Sequence, residues 1–299
     1  MPHDLNRILA AVAGRPWAIE PMRGEEILAA LALRHERGPR AEPFLDGPRE
    51  EQPQAQRRGK VAVMNLMGTI APRASAVRDA SASFASLETF GKLFDEVAAD
   101  PKVSAIVLNV DSPGGMVDLV PETAAKIRGA RREGRPIHAV ANTMACSAAY
   151  WIASQADRLF ASPSAVVGSI GVRAAHMDQS AYMAKLGVKV TQISAGARKT
   201  EGNPYEPLDA AARKALQEEI DAAYAMFVAD VAAARGVSAE VVSADPEKAA
   251  RHMGGGRAYG ASRALQLGMV DGIATLAEVI AGVSGGRSAR MERERLALL

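Results

Sequence analysis

Aromatic residues make up only 4% of the sequence, and cysteine occurs once, at Cys146. A lone cysteine forms no internal disulfide and excludes metal sites built on several thiolates; it fits a reducing compartment. With so few rings the core must be filled by Ala, Val, Ile, Leu and the 12 Met, a palette suited to closely packed helices and strands. No apolar stretch reaches the roughly 18 residues of a membrane span, and residues 1–17 carry neither a basic leader nor a continuous apolar run. We therefore expect a cytoplasmic chain with no membrane partner. Excess charge is also scarce. Lys plus Arg number 36 and Asp plus Glu 34, a net +2 that offers no electrostatic footprint for nucleic acid. HExxH and EF-hand patterns are missing, and no Lys-Ser or Lys-Thr pair follows Gly254-Gly255-Gly256, so no metal, phosphate loop or cofactor is called for. Protein or peptide partners remain.

What is present is length and order. The 299 residues, 48% of them hydrophobic, suffice for one large α/β domain with extensions. Residues 3–36 read as two short amphipathic helices separated by Pro16 and Pro21, giving a helical extension over 1–37. Residues 38–59, rich in Pro, Gly, Arg, Glu and Gln, read as a linker. The domain expected over 60–283 alternates apolar strands (61–66, 105–110, 137–141, 158–161, 166–172, 188–193) with helices (86–99, 118–133, one starting near Ser147, 174–186, 208–235). That rhythm predicts parallel pairing through right-handed crossovers. Gly236 is placed to cap the longest helix, and residues 284–299 form a charged tail.

Two places could carry chemistry. Ser147 stands where an apolar strand hands over to a helix, among small residues that leave room for a substrate backbone. Unpaired amides there could stabilise a developing negative charge; an N-capping serine is the competing reading. Asp111-Ser112-Pro113-Gly114-Gly115 ends another strand, and its glycines permit positive φ or close backbone approach, so the turn could aim an amide at an oxyanion. An ordinary turn would have the same composition.

Taken in order, Gly114-Gly115, then Ala145-Cys146-Ser147-Ala148-Ala149-Tyr150-Trp151, then Val167-Gly168-Ser169-Ile170-Gly171-Val172 resemble the motif set of the signal peptide peptidase A (protease IV) family of serine peptidases. The match runs on through Lys199, the helix 216–235, Gly256-Arg257-Ala258-Tyr259-Gly260 and Gly268-Met269-Val270-Asp271, covering about residues 60–280. The resemblance implies a Clp/crotonase-like fold and a Ser-Lys dyad. In this sequence the nucleophile would be Ser147 and the general base Lys199, since the neighbouring Arg198 cannot release its proton. It also implies an oxyanion hole from the N–H groups of Gly115 and Ala148, with Gly114 shaping the turn and Ser169 orienting the amine. Family members assemble as rings, so active sites are expected to form only in a homo-oligomer.

The sequence departs from the commoner family text by placing Cys146 before the serine and two alanines after it. Segment Arg15-Pro16-Trp17-Ala18-Ile19 resembles that of the phage head maturation proteases, the lambda-type branch, which implies cleavage of scaffold and portal proteins, with the chain itself a further candidate substrate, inside a prohead in the host cytoplasm. A cytoplasmic peptidase without an anchor is the alternative. Three others are weighed: a Ser-His-Asp protease using His176, an acyl-CoA enzyme of the crotonase group, and a non-catalytic assembly subunit.

Overall fold

The computed structural model describes residues 16–21, 55–73 and 84–285. Strand β1 is Trp17–Ile19 and strand β2 is Ala55–Arg58. The apolar run after them becomes β3, Val61–Met67, followed across Gly68 by β4, Thr69–Ala71, and later by β5, Phe84–Ser86. Helix α1, Leu87–Ala99, starts on the Ser86 side chain, which accepts from the Thr89 N–H, and buries Phe90, Phe94 and Val97.

Strand β6, Ala105–Ser112, is buried along its length apart from Asp111, as a parallel strand covered on both faces should be. It leads into β7, Gly114–Met116, then α2, Val120–Gly129, and the ten-residue β8, Ile137–Cys146. Strands β3, β6 and β8 lie side by side and parallel, with β2 antiparallel on the outer edge of β3. On its far side β8 has two successive neighbours. Its first half pairs with β9, Arg158–Ala161, and its last three residues pair with β10, Val166–Gly168. The sheet therefore forks at Asn142 and Thr143. Strand β11, Ala258–Gly260, extends one branch and β12, Gly272–Ile273, the other. A second, smaller sheet has the order β1-β7-β4-β5.

The helices continue with α3, Ala148–Ala153; α4, Ser180–Lys185; and α5, Ala210–Arg235. Asp209 caps α5 by accepting from the Ala212 N–H, and Gly236, in the left-handed region at φ 63°, ends it where the sequence places the stop. Short helices α6, Ala239–Ser243, and α7, Ala261–Gln266, lead to α8, Leu276–Val283, which opens on a capping box between Thr275 and Glu278. The main core runs from Met64, Leu66 and Leu108 through Tyr150 and Trp151 to Phe227 and Val231. Among the described residues no helix is long and apolar enough to cross a membrane.

The mixed α/β class with parallel strands is as expected; several local expectations are not met. Residues 17–19, assigned to the helical extension, form a strand: prolines at 16 and 21 break a helix, and Trp17 and Ile19 favour a pleated surface. Residues 1–15 and 22–37 lie outside the described residues. Ala55–Arg58, assigned to the linker, pairs with the start of β3 despite its polar composition, because an antiparallel edge strand needs only one buried face. Residues 38–54 and 286–299 also lie outside the description. The strand expected over 188–193 is absent and the helix over 174–186 shrinks to α4, because this excursion packs almost nothing.

Candidate active site

Ser147 is the single residue joining β8 to α3, with φ 56° and ψ −121°. A non-glycine residue held in that region costs on the order of 1–3 kcal/mol and persists only when its surroundings over-determine it. Here they do. The Ser147 N–H donates to the Gly168 carbonyl at 2.7 Å, its own carbonyl accepts from the Trp151 N–H at 2.9 Å, and the residue is fully buried. Cys146 and Ala145 are held in register against Gly168 and Val167 of β10, and Ala145 also against Ser112 of β6 on the other edge. The Ser147 hydroxyl donates to the Gly171 carbonyl at 3.3 Å.

Helix α3 is short, six buried residues, so its dipole is small and its position matters more. Three side chains fix that position. The Trp151 ring stacks on Phe227 of α5 with centroids 4.6 Å apart, and its Nε1–H donates to Asp230 Oδ2 at 2.7 Å. Arg128 of α2 donates to both Asp230 Oδ1, at 2.8 Å, and Gln155 Oε1, at 2.7 Å. The Tyr150 hydroxyl donates to the Met269 carbonyl at 2.8 Å, and burial pushes its own ionisation well above the ordinary phenol range. The first amide of the helix, that of Ala148, is thus held beside the nucleophile by a tied helix.

The turn that carries the second expected amide comes close to Ser147 at Gly114. Gly114 has φ 95°, and its N–H donates to Ser112 Oγ at 3.2 Å. A methyl group on Gly114 would meet the Cys146 carbonyl oxygen and Ser147 Cβ, each at 2.9 Å, so this turn lies directly against the nucleophile. Gly115 requires glycine for a different reason: strand β4 passes so close that an added Cβ would be 2.0 Å from the Ile70 carbonyl oxygen. Gly114 thus lies against Ser147, and Gly115 follows it in β7.

Ser169 is also close. Buried, with φ 54°, it follows Gly168, and its N–H donates to the Arg257 carbonyl at 2.9 Å. Lys199 is different. It lies in an exposed turn whose backbone N–H donates to the Gly196 carbonyl at 3.1 Å, and among the described residues its amine has no hydrogen-bond or ion-pair partner. In this single chain the serine hydroxyl faces a carbonyl and the lysine faces solvent. His176 lies on the same excursion, its Nε2 3.0 Å from the Asn203 carbonyl oxygen, so that nitrogen is engaged away from Ser147. Cys146 is no rival nucleophile: burial, with a smaller contribution from the Glu20 carboxylate, pushes its thiol up to about 12.

Sequence reasoning missed the supports. Asp230, Arg128 and Gln155 carry no motif of their own. The available signal was a tryptophan four residues past the nucleophile, since a buried indole N–H needs an acceptor. It also missed the pair of Arg235 and Asp271, two hydrogen bonds of 2.9 Å that tie the end of α5 to the β9–β12 branch, where Asp271 Oδ2 also accepts from the Leu159 N–H at 2.7 Å. Burial alone would raise the Asp271 carboxyl, but the Arg235 guanidinium and the Leu159 amide hold it below its ordinary range.

The sequence is similar to those of known proteins. The chain is 33% identical over 274 residues to "Capsid assembly protease C" of Escherichia phage lambda, covering 92% of this chain and 58% of that protein. It is 30% identical to "Head-tail preconnector protein GP5" of Enterobacteria phage P21, covering 81% and 52%. It thus spans a little over half the length of these curated relatives. Among solved structures, a membrane-bound stomatin-specific protease superposes with a TM-score of 0.44 at 15% identity, covering 77% of this chain and 87% of that one. The model of "Peptidase family S49" matches residues 129–288, more than half of the sequence and the whole stretch from the nucleophile's strand through Lys199 to α8, and the chain belongs to that family.

Proposed function

We propose that this chain is a serine endopeptidase in which the Ser147 hydroxyl attacks the scissile carbonyl, Lys199 accepts its proton, and the N–H groups of Gly115 and Ala148 hold the resulting oxyanion. The observation that carries this reading is the strained, fully buried Ser147 between a clamped strand and a tied helix, with the Gly114-Gly115 turn pressed against it. After attack, the lysine returns the proton to the leaving amine, and water repeats the sequence to free the acyl group. Ser169 serves to orient the amine.

The dyad closes in a homo-oligomer. Lys199 sits on an excursion, residues 174–209, whose large apolar side chains are left to solvent in one chain: Leu186 is 58% and Ile193 96% exposed. Packing this surface against another copy would order the excursion and desolvate the amine, which favours its proton-accepting form. The likeness to phage capsid assembly proteases supports capsid-associated proteins as substrates and the prohead in a host cytoplasm as the setting. Two purified forms test the reading, the wild type and Ser147→Ala, incubated with a scaffold protein and followed by intact mass. Cleavage products are expected only with the serine; equal cleavage by both would refute it.

A further inference from the structure

Strand β1 has an unusual situation. Its register sets Trp17 against Met116, Ala18 against Gly115 and Ile19 against Gly114 of β7, with the Glu20 N–H donating to the Pro113 carbonyl at 2.8 Å and the Val117 N–H to the Pro16 carbonyl at 3.4 Å. In an antiparallel ladder, facing pairs alternate between exchanging both hydrogen bonds and exchanging none. Bonded positions two residues either side make Ala18 and Gly115 a bonded pair, so the Gly115 amide points at the Ala18 carbonyl. That amide is the one assigned above to the oxyanion. The Ala18 carbonyl oxygen also lies 2.2 Å from the point a Gly114 methyl would occupy, a point 2.9 Å from Ser147 Cβ.

The other edge of the strand is paired as well. The Trp17 N–H donates to the Arg173 carbonyl at 2.7 Å, and the Arg173 N–H to the Trp17 carbonyl at 2.8 Å. Residues 16–20 are thus an extended peptide held between the oxyanion turn and the segment that follows Ser169, with Ala18 presenting its carbonyl beside the nucleophile. Its side chains are sorted: Ala18 is fully buried in the main core, while Trp17 and Ile19 fill a separate cluster with Ala71, Phe84 and Met116.

We propose that residues 16–20 are an intramolecular occupant of the peptide cleft, and that a substrate must displace them and take their place. Resting on the peptidase reading above, this defines the substrate class: an extended peptide with a small apolar residue at the reacting carbonyl and large apolar residues on either side of it. Backbone pairing on both edges supplies affinity, and the Ala18 and Trp17/Ile19 environments supply the selection. It also makes the strand a restraint on activity, because apparent affinity is reduced by the fraction of molecules whose cleft is free.

The test needs no hydrolysis. In full-length Ser147→Ala protein, binding of a fluorescent peptide spanning residues 15–21 is measured by anisotropy, with and without Trp17→Gly, which removes the strand's main anchor. Dissociation constants at least about tenfold lower are expected in the Trp17→Gly form. Ala18→Pro, which deletes the N–H of the bonded pair, is a second route to the same release should the first variant fold poorly, as checked by thermal unfolding. Unchanged or weaker binding in both, with cooperative unfolding retained, would overturn the proposal. On the catalytic side, with Ser147 intact, KM should fall by a similar factor without loss of kcat. A fall in kcat at constant KM would instead make the strand a wall supporting Gly115, and would also overturn it. If binding tightens while no variant hydrolyses any peptide, the occupant stands and the peptidase reading is what fails.

Discussion

Ser147 and Lys199 lie in regions built on opposite terms. Around Ser147 the backbone is held firmly: its own N–H bonds the Gly168 carbonyl, the strand before it is paired on both edges as far as Ala145 and on one at Cys146, and the helix after it is fixed by Trp151, Asp230 and Arg128. Around Lys199 the chain runs exposed from 178 to 199 almost without interruption, and the helix it contains buries nothing. One half of the proposed machinery is preorganised at the cost of backbone strain, and the other awaits a surface. On the proposed reading, the difference means that folding alone sets Ser147 in place, while bringing Lys199 to it is left to assembly.

Four measurements sharpen or break that contrast. The largest effect is expected from Ser147→Ala, a loss of about 10⁴-fold or more in kcat/KM with little change in unfolding temperature, because alanine keeps the shape and the clamps. A stable variant retaining a tenth of the activity would dissolve the assignment.

Next is the base. Lys199→Ala and Lys199→Arg should both lose on the order of 10²–10⁴-fold in kcat, since the arginine keeps the charge and cannot accept a proton, while His176→Ala retains most activity. Neither Lys199 variant should shift the stability of the isolated chain, its side chain being exposed. Activity surviving in Lys199→Arg but lost in His176→Ala would put a histidine in the lysine's place.

On the buried side, Asp271→Asn strands Arg235 and should destabilise the fold by about 3 kcal/mol in denaturant titrations at pH 7. The sign with pH follows from a carboxyl held below its ordinary range in the folded state. Its contribution is complete above the unfolded value and fades as pH falls through the lower folded one. The gap between wild type and Asp271→Asn should therefore narrow in strong acid; a constant gap from pH 7 to pH 2 would show that the charge of Asp271 is not what matters.

The smallest effect on folding belongs to Ile193→Asp, within about 0.5 kcal/mol for an exposed position. Its effect on assembly should be plain: a lower mass by sedimentation and a matching loss of activity. An oligomer of unchanged mass would place the interface elsewhere.

The sequence was most informative where one element's pattern sufficed. The apolar run before Ser112, the stop at Gly236 and the strand-to-helix handover at Ser147 all depend on neighbours close in sequence, and each lies where the pattern puts it. What could not be read depends on partners far along the chain. Trp17–Ile19 looks like no more than the break between two helices until Met116 and Arg173 are beside it, and Ala55–Arg58 looks like linker until β3 offers an edge. Val188, Val190 and Ile193 suggest a strand, yet a strand without a ladder is only an extended coil, and nothing within the described chain supplies the ladder. The approach of Gly114 to Ser147 was legible through resemblance. The tie from Trp151 to Asp230 was not, because a single aspartate on a long helix carries no signature.

The fork in the main sheet has a consequence for how this protein tolerates change in length. Strands β9 and β10 lie on the two branches that β8 opens, and only Ser162, Pro163, Ser164 and Ala165 connect them. Insertions into surface loops ordinarily cost little. This connection acts as a spacer: its length, with the bond from the Ala165 N–H to the Ser162 carbonyl at 2.9 Å, sets how far β10 stands from the first branch and so where the Gly168 carbonyl meets the Ser147 N–H. One extra residue here would change neither member of the proposed dyad and still unseat Ser147, whereas the same insertion in the 196–202 turn would alter only the reach of Lys199.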